Sequence, residues 1–165
     1  MSEPPVGSTA GSAALLVGSL ALVLVVAVLG GAATVSSVGD WYDGLDKAPW
    51  NPPSWVFGPA WTVLYVLMAV AAWAVAREGL DEHDVRVALV LYGVQLALNL
   101  AWSLVFFGLR RPGLALVVIL ALLVSIAATA VAFHAVSPAA AWLLAPYLAW
   151  VAFAATLNTW VAFAN

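Results

Sequence analysis

Residues 41–73 read WYDGLDKAPWNPPSWVFGPAWTVLYVLMAVAAW, passing from a polar loop into an apolar helix. The stretch holds five of the nine tryptophans (Trp41, Trp50, Trp55, Trp61, Trp73), four prolines (Pro49, Pro52, Pro53, Pro59) and the chain's only lysine, Lys47. Proline fixes φ and removes a backbone donor, so APWNPP suits an ordered loop and not a helix interior. Tryptophan is favoured where one end of the ring is dry and the other wet, as at a membrane surface. The segment therefore reads as a rigid aromatic loop on a membrane, feeding a transmembrane helix. Its tryptophans have two readings, interface anchors or walls of a ligand pocket.

Composition settles the solvent. Of 165 residues, 65% are hydrophobic and 8% charged, and mean hydropathy is +1.07. A soluble domain is about half apolar and about a quarter charged. So short a chain cannot hide this apolar surface from water; it is an all-α integral membrane protein. With no cysteine, disulfides, thiolate metal sites and cysteine nucleophiles are excluded. A net charge of −3 with five basic residues argues against nucleic acid as a partner.

Outward from the opening stretch, residues 1–12 (MSEPPVGSTAGS) read as a disordered tail and 13–165 as one transmembrane domain. The first span covers about 13–35. A cleaved leader would carry a basic stretch before it, whereas the only charge there is Glu3, so this span is expected to be retained. Further spans cover about 58–76, 87–107, 114–135 and 138–163, each near the roughly 20 residues a bilayer needs. The expected architecture is a bundle of five transmembrane helices with an ordered loop between the first and second. The densely charged stretch 77–86 lies in water, and Arg110 to Gly113 form a turn. Arg77 and Arg86 face one side and Lys47, Arg110 and Arg111 the other. The positive-inside rule thus places the loop and the C-terminus in the cytoplasm, by three basic residues to two.

Helical spacing then sorts the spans into faces. On the third, Gln95, Asn99, Trp102 and Phe106 share one side, and Gly93, Ala97 and Ala101 lie nearly opposite. Small residues four apart suit close packing within the bundle or at a dimer seam. Amides in lipid point into the bundle or a cavity, as structural hydrogen-bonding partners or as ligand contacts. On the second span Trp61, Tyr65, Met68 and Ala72 share a face. On the fifth Pro146, Trp150, Phe153 and Leu157 do so, with Asn158 beside them and Pro146 kinking the helix. Converging, these faces enclose an aromatic pocket for a flat, largely apolar ligand. His83 and His134 have no partner at ligand spacing, so no metal site is expected, and no acid within a span offers a proton relay.

Three blocks carry a resemblance: WYDGLDKAPWNPPSWVFGPAWTVLYVLM at 41–68, QLALNLAWSLVFFGLRRP at 95–112 and AWLLAPYLAWVAFAATLN at 141–158. In this order they resemble the tryptophan-rich sensory protein (TspO/MBR) family, which includes the mitochondrial translocator protein. The resemblance implies a five-helix membrane bundle, commonly a homodimer, in a bacterial cell membrane. It implies a pocket for tetrapyrroles such as protoporphyrin IX, and for isoquinoline carboxamides or benzodiazepines, with no required cofactor. Its carried-over pocket positions are Trp41, Tyr42, Trp61, Asn99, Trp102 and Trp150, to which the helical faces add Tyr65 and Phe106. It places Gly93, Ala97 and Ala101 at a dimer seam. It also implies a light- and oxygen-dependent porphyrin degradation, for which Trp61 and Trp150 would be the catalytic candidates. Two departures stand out. The family's Lys-Pro-x-Trp is here Lys47-Ala48-Pro49-Trp50, so the loop has its own path. The ending LNTWVAFAN has no tyrosine or basic residue after Asn158, which argues against cholesterol recognition by the family's sterol pattern. Three functions follow: a receptor or carrier of porphyrin-like ligands acting in stress or tetrapyrrole regulation, a porphyrin-degrading enzyme, or a structural membrane protein that acts through a partner.

Overall fold

In hydrocarbon every backbone N–H and C=O must find its partner within the protein, and a helix satisfies them within one segment. The computed structural model describes residues 9–165 and meets that requirement with five membrane-length helical spans. Helix α1 (Thr9–Ser37) runs on through a π-helical turn at Val38–Tyr42. After the loop, a 3-10 turn at Ser54–Val56 leads into α2 (Phe57–Ala76). Helix α3 (His83–Ser103) also ends in a π-helical turn, Leu104–Gly108. Helix α4 spans Pro112–Val136, and the fifth span is divided into α5 (Pro138–Leu143) and α6 (Ala145–Ala164).

The sequence explains the boundaries. Gly79, with φ of 130°, makes the turn between α2 and α3 that a side chain would strain. Between α3 and α4 the turn rests on Arg110, at φ 54°, and Pro112 belongs to the first turn of α4, where its missing N–H costs nothing. The expected turn through Gly113 is therefore shorter than anticipated. The expected tail also needs correction. Thr9 to Ser12 form the first turn of α1, pinned where Trp73 Nε1 donates to the Ser12 carbonyl at 2.9 Å and to its hydroxyl at 3.1 Å. Residues 1–8 of that tail lie outside the described residues. The fifth span breaks at Leu144, two residues before Pro146, which sits in the first turn of α6.

Around the bundle the helices follow the order α1, α2, the fifth span, α4, α3 and back to α1, with α2 also touching α3 across the centre. Packing differs between the two membrane halves. On the side away from the 43–53 loop, Met68, Ala72, Val75, Ala88, Phe133 and Tyr147 are fully or almost fully buried. Toward the loop, the first turns of α2 stay only partly covered, and α6 stands apart from α2. One half is solid; the other holds a cavity.

Candidate functional site

The cavity is built around Trp61. Its indole lies 5.6 Å from the Tyr65 ring, 6.4 Å from Trp102 and 6.3 Å from Tyr147, between centroids. Helix α3 adds Trp102 and Phe106, tilted together at 5.7 Å. The two π-helical turns meet here: Tyr42 packs against Phe106 at 6.3 Å and Phe107 at 5.7 Å. A π turn displaces a carbonyl from the regular ladder, and Ser37 Oγ donates to the Phe107 carbonyl at 2.6 Å, tying the two turns together. Trp150 of α6 closes the side between α6 and α2, edge-on to Phe57 at 5.9 Å. The cavity, partly open to the outside, has a volume of about 290 Å³.

Helix α1 forms the wall opposite α6. A Cβ on Gly30 would meet Ser103 Oγ at 3.3 Å and Ser103 Cβ at 3.4 Å, so glycine is what lets α1 approach α3 there. Gly30, Gly31 and Thr34 line the cavity. Among the described residues, none that lines it is charged.

Beneath Trp61 runs a buried polar chain. Tyr65 Oη donates to Asn99 Oδ1 at 2.8 Å, Asn99 Nδ2 donates to Tyr147 Oη at 3.1 Å, and Tyr147 Oη donates to Gln95 Oε1 at 2.9 Å. Separately, Trp102 Nε1 donates to Asn158 Oδ1 at 3.0 Å, and Asn158 Nδ2 to the Pro112 carbonyl at 2.8 Å. Asn158 thereby joins α6 to α3 and to the start of α4. In lipid such side-chain bonds bind helices together, since no hydrophobic force separates a leucine from an acyl chain.

The loop is fastened from both ends. Asn165 brackets the Asp46 backbone, accepting from its N–H at 2.8 Å and donating to its carbonyl at 3.1 Å. Trp50 packs edge-on to Trp160 at 5.4 Å, and its N–H donates to Thr156 Oγ1 at 3.3 Å. Lys47 stands 4.8 Å over the Tyr42 ring, and Tyr42 Oη donates to Asn51 Oδ1 at 3.3 Å.

Of the residues expected at a pocket, Tyr42, Trp61, Tyr65, Trp102, Phe106 and Trp150 line the cavity. Trp41 does not; it packs behind Phe106 at 5.7 Å. Nor does Asn99, whose amide is already bonded at both ends behind Tyr65. Pro146, expected on the pocket face of the fifth span, points outward, and Tyr147 takes the inner position. Gly93 and Ala97 face outward and Ala101 is half-buried, so this stripe is not a packing seam inside the bundle. Tyr147, Phe57 and the wall of α1 were absent from the expected site. Tyr147 could have been found as the one tyrosine on the apolar fifth span, at helical spacing from Val151 and Ala154.

The TspO/MBR family profile matches residues 19–163. The chain belongs to the TspO/MBR family. Among similar TspO/MBR proteins, the tryptophan-rich protein TspO of Chlorobaculum tepidum is 43% identical over 139 residues, 84% of this chain and 88% of that one. The translocator protein of Homo sapiens is 52% identical over 120 residues, 72% of this chain and 70% of that one. The tryptophan-rich sensory protein of Cereibacter sphaeroides is 46% identical over 120 residues, covering 72% and 73%. TspO/MBR membership and the five apolar spans together make this a multi-pass integral membrane protein of TspO type.

Proposed function

We propose that this TspO/MBR protein is a membrane receptor or carrier that binds flat, largely apolar ligands of the porphyrin kind in the cavity around Trp61. The observation that carries the reading is a wall of five aromatic rings from three helices (Trp61, Tyr65, Trp102, Phe106, Trp150) with no charged lining residue among those described. Stacking on several rings favours a planar π-system, and the absence of a cation disfavours a ligand with a charged centre. Among the described residues the lining offers no carboxylate, histidine or lysine for acid–base work, which supports binding over hydrolytic or proton-transfer chemistry. The test is a titration of protoporphyrin IX into detergent-purified protein in the dark, for wild type and Trp61→Leu. Saturable binding that weakens about tenfold in the variant, near 1.4 kcal/mol, is expected. Linear, unsaturable quenching, the same in both, would reduce the signal to partitioning into detergent. Trp61 and Trp150 both line the cavity, and the degradation reading is separated with a third sample: bleaching of the bound porphyrin on illumination that Trp61→Phe abolishes while binding stays intact would favour an enzyme.

A further inference from the structure

The cavity is small for a macrocycle. At about 290 Å³ it stands at the lower limit of the roughly 300–1,000 Å³ typical of ligand pockets. That space takes two or three fused rings. A tetrapyrrole, with four pyrrole rings in one plane and acidic side chains on one edge, exceeds it. The acids have a further difficulty, because an unpaired carboxylate is costly in a membrane interior and no described lining residue is a cation.

Directly outside the cavity lies a second, lipid-facing groove between α2 and α6, lined by Val56, Pro59, Val63, Pro146, Ala149 and Phe153. Trp150 belongs to both linings. The Trp150 indole therefore stands between the cavity and the lipid-side groove.

Three features show how that partition is held. Helix α2 packs against the fifth span through α5, on the far side of the membrane, and the two separate toward the loop. The chain breaks at Leu144, and Pro146 stands in the first turn of α6, one turn before Trp150. The indole N–H of Trp150 is buried without a hydrogen-bond partner among the described residues. Trp102, on the cavity's other wall, is pinned by Asn158. Trp150 is held by ring contacts, to Phe57 at 5.9 Å and Phe153 at 5.7 Å.

We infer that Trp150 is a movable partition, and that turning its indole joins cavity and groove into one slot that admits a tetrapyrrole laterally between α2 and α6. Part of the macrocycle stacks on Trp61 inside. The acid-bearing edge stays in the groove and points toward the loop-side membrane surface. A two-ring ligand needs only the cavity. This extends the binding reading above and rests on it.

The test fills the groove without touching the cavity. Ala149 is exposed and lines only the groove, so Ala149→Trp adds an indole on the lipid side. Val63→Trp does the same from α2, a second variant should the first fail to fold. Equilibrium dialysis in the dark compares protoporphyrin IX with an isoquinoline carboxamide. Expected is porphyrin binding weakened about tenfold or more, with the smaller ligand changed less than about twofold. Equal losses for both ligands, or none for either, would overturn the partition while leaving the cavity reading in place. No saturable porphyrin binding to wild type would remove that reading and the partition with it.

Discussion

The hydroxyl of Tyr147 stands between two amides, donating to Gln95 and accepting from Asn99. Asn99 in turn accepts from Tyr65, whose ring faces the cavity. Asn99 thus supports a wall residue and does not itself reach the cavity. Removing one hydroxyl from this chain leaves two amides partly unpaired. Interhelical bonds in membranes are worth about 0.6–2 kcal/mol, and stranded buried partners about 1–3. Tyr147→Phe should therefore lower stability by about 1 kcal/mol, read from unfolding in mixed micelles, and leave porphyrin affinity within about twofold. A large loss of affinity at unchanged stability would instead place the Tyr147–Asn99 pair in contact with ligand. That Gln95 and Asn99 face inward was legible in the sequence, because an amide in lipid has nowhere else to go. That their partners are Tyr65 and Tyr147 was not, since the pairing depends on how three helices are placed.

At the scale of the element, α3 shows what periodicity can and cannot tell. Its two faces fall where the spacing puts them: Gln95, Asn99, Trp102 and Phe106 are buried, while Gly93 and Ala97 look out. We propose that a second copy of the chain packs on this outward stripe, backbone close to backbone. Under that proposal Ala97→Leu dissociates the dimer, seen by light scattering in detergent, and leaves ligand affinity unchanged because the cavity is on the opposite face. A monomeric wild type, or a dimer indifferent to the substitution, would contradict it. Helix α1 gave no such guidance. Between Ser19 and Thr34 its run of Leu, Val, Ala and Gly carries no polar side chain to mark an inner face, so Gly30 emerged as cavity wall only from the packing. The fifth span misled for a related reason. Proline was read as part of the aromatic face, but a break at Leu144 turns Pro146 outward and brings Tyr147 in.

For the whole molecule, the five-helix count and the position of the loop were legible because hydrocarbon thickness and charge leave few alternatives. The tryptophans divide into two groups by exposure. Trp55 and Trp142 are about three-quarters exposed, at 74% and 73%, one on each side of the membrane, as interface anchors are. Trp61, Trp102 and Trp150 instead enclose the cavity. That division makes the nine indoles built-in reporters of where a ligand sits. The most direct measurement is the nitrogen–proton NMR spectrum of the indole groups in uniformly labelled protein, recorded in the dark as protoporphyrin IX is added. Saturable shifts of the Trp61, Trp102 and Trp150 signals, with Trp55 and Trp142 unmoved, are the predicted result. Shifts confined to Trp55 and Trp142, or equal across all nine, would contradict a ligand site in the cavity.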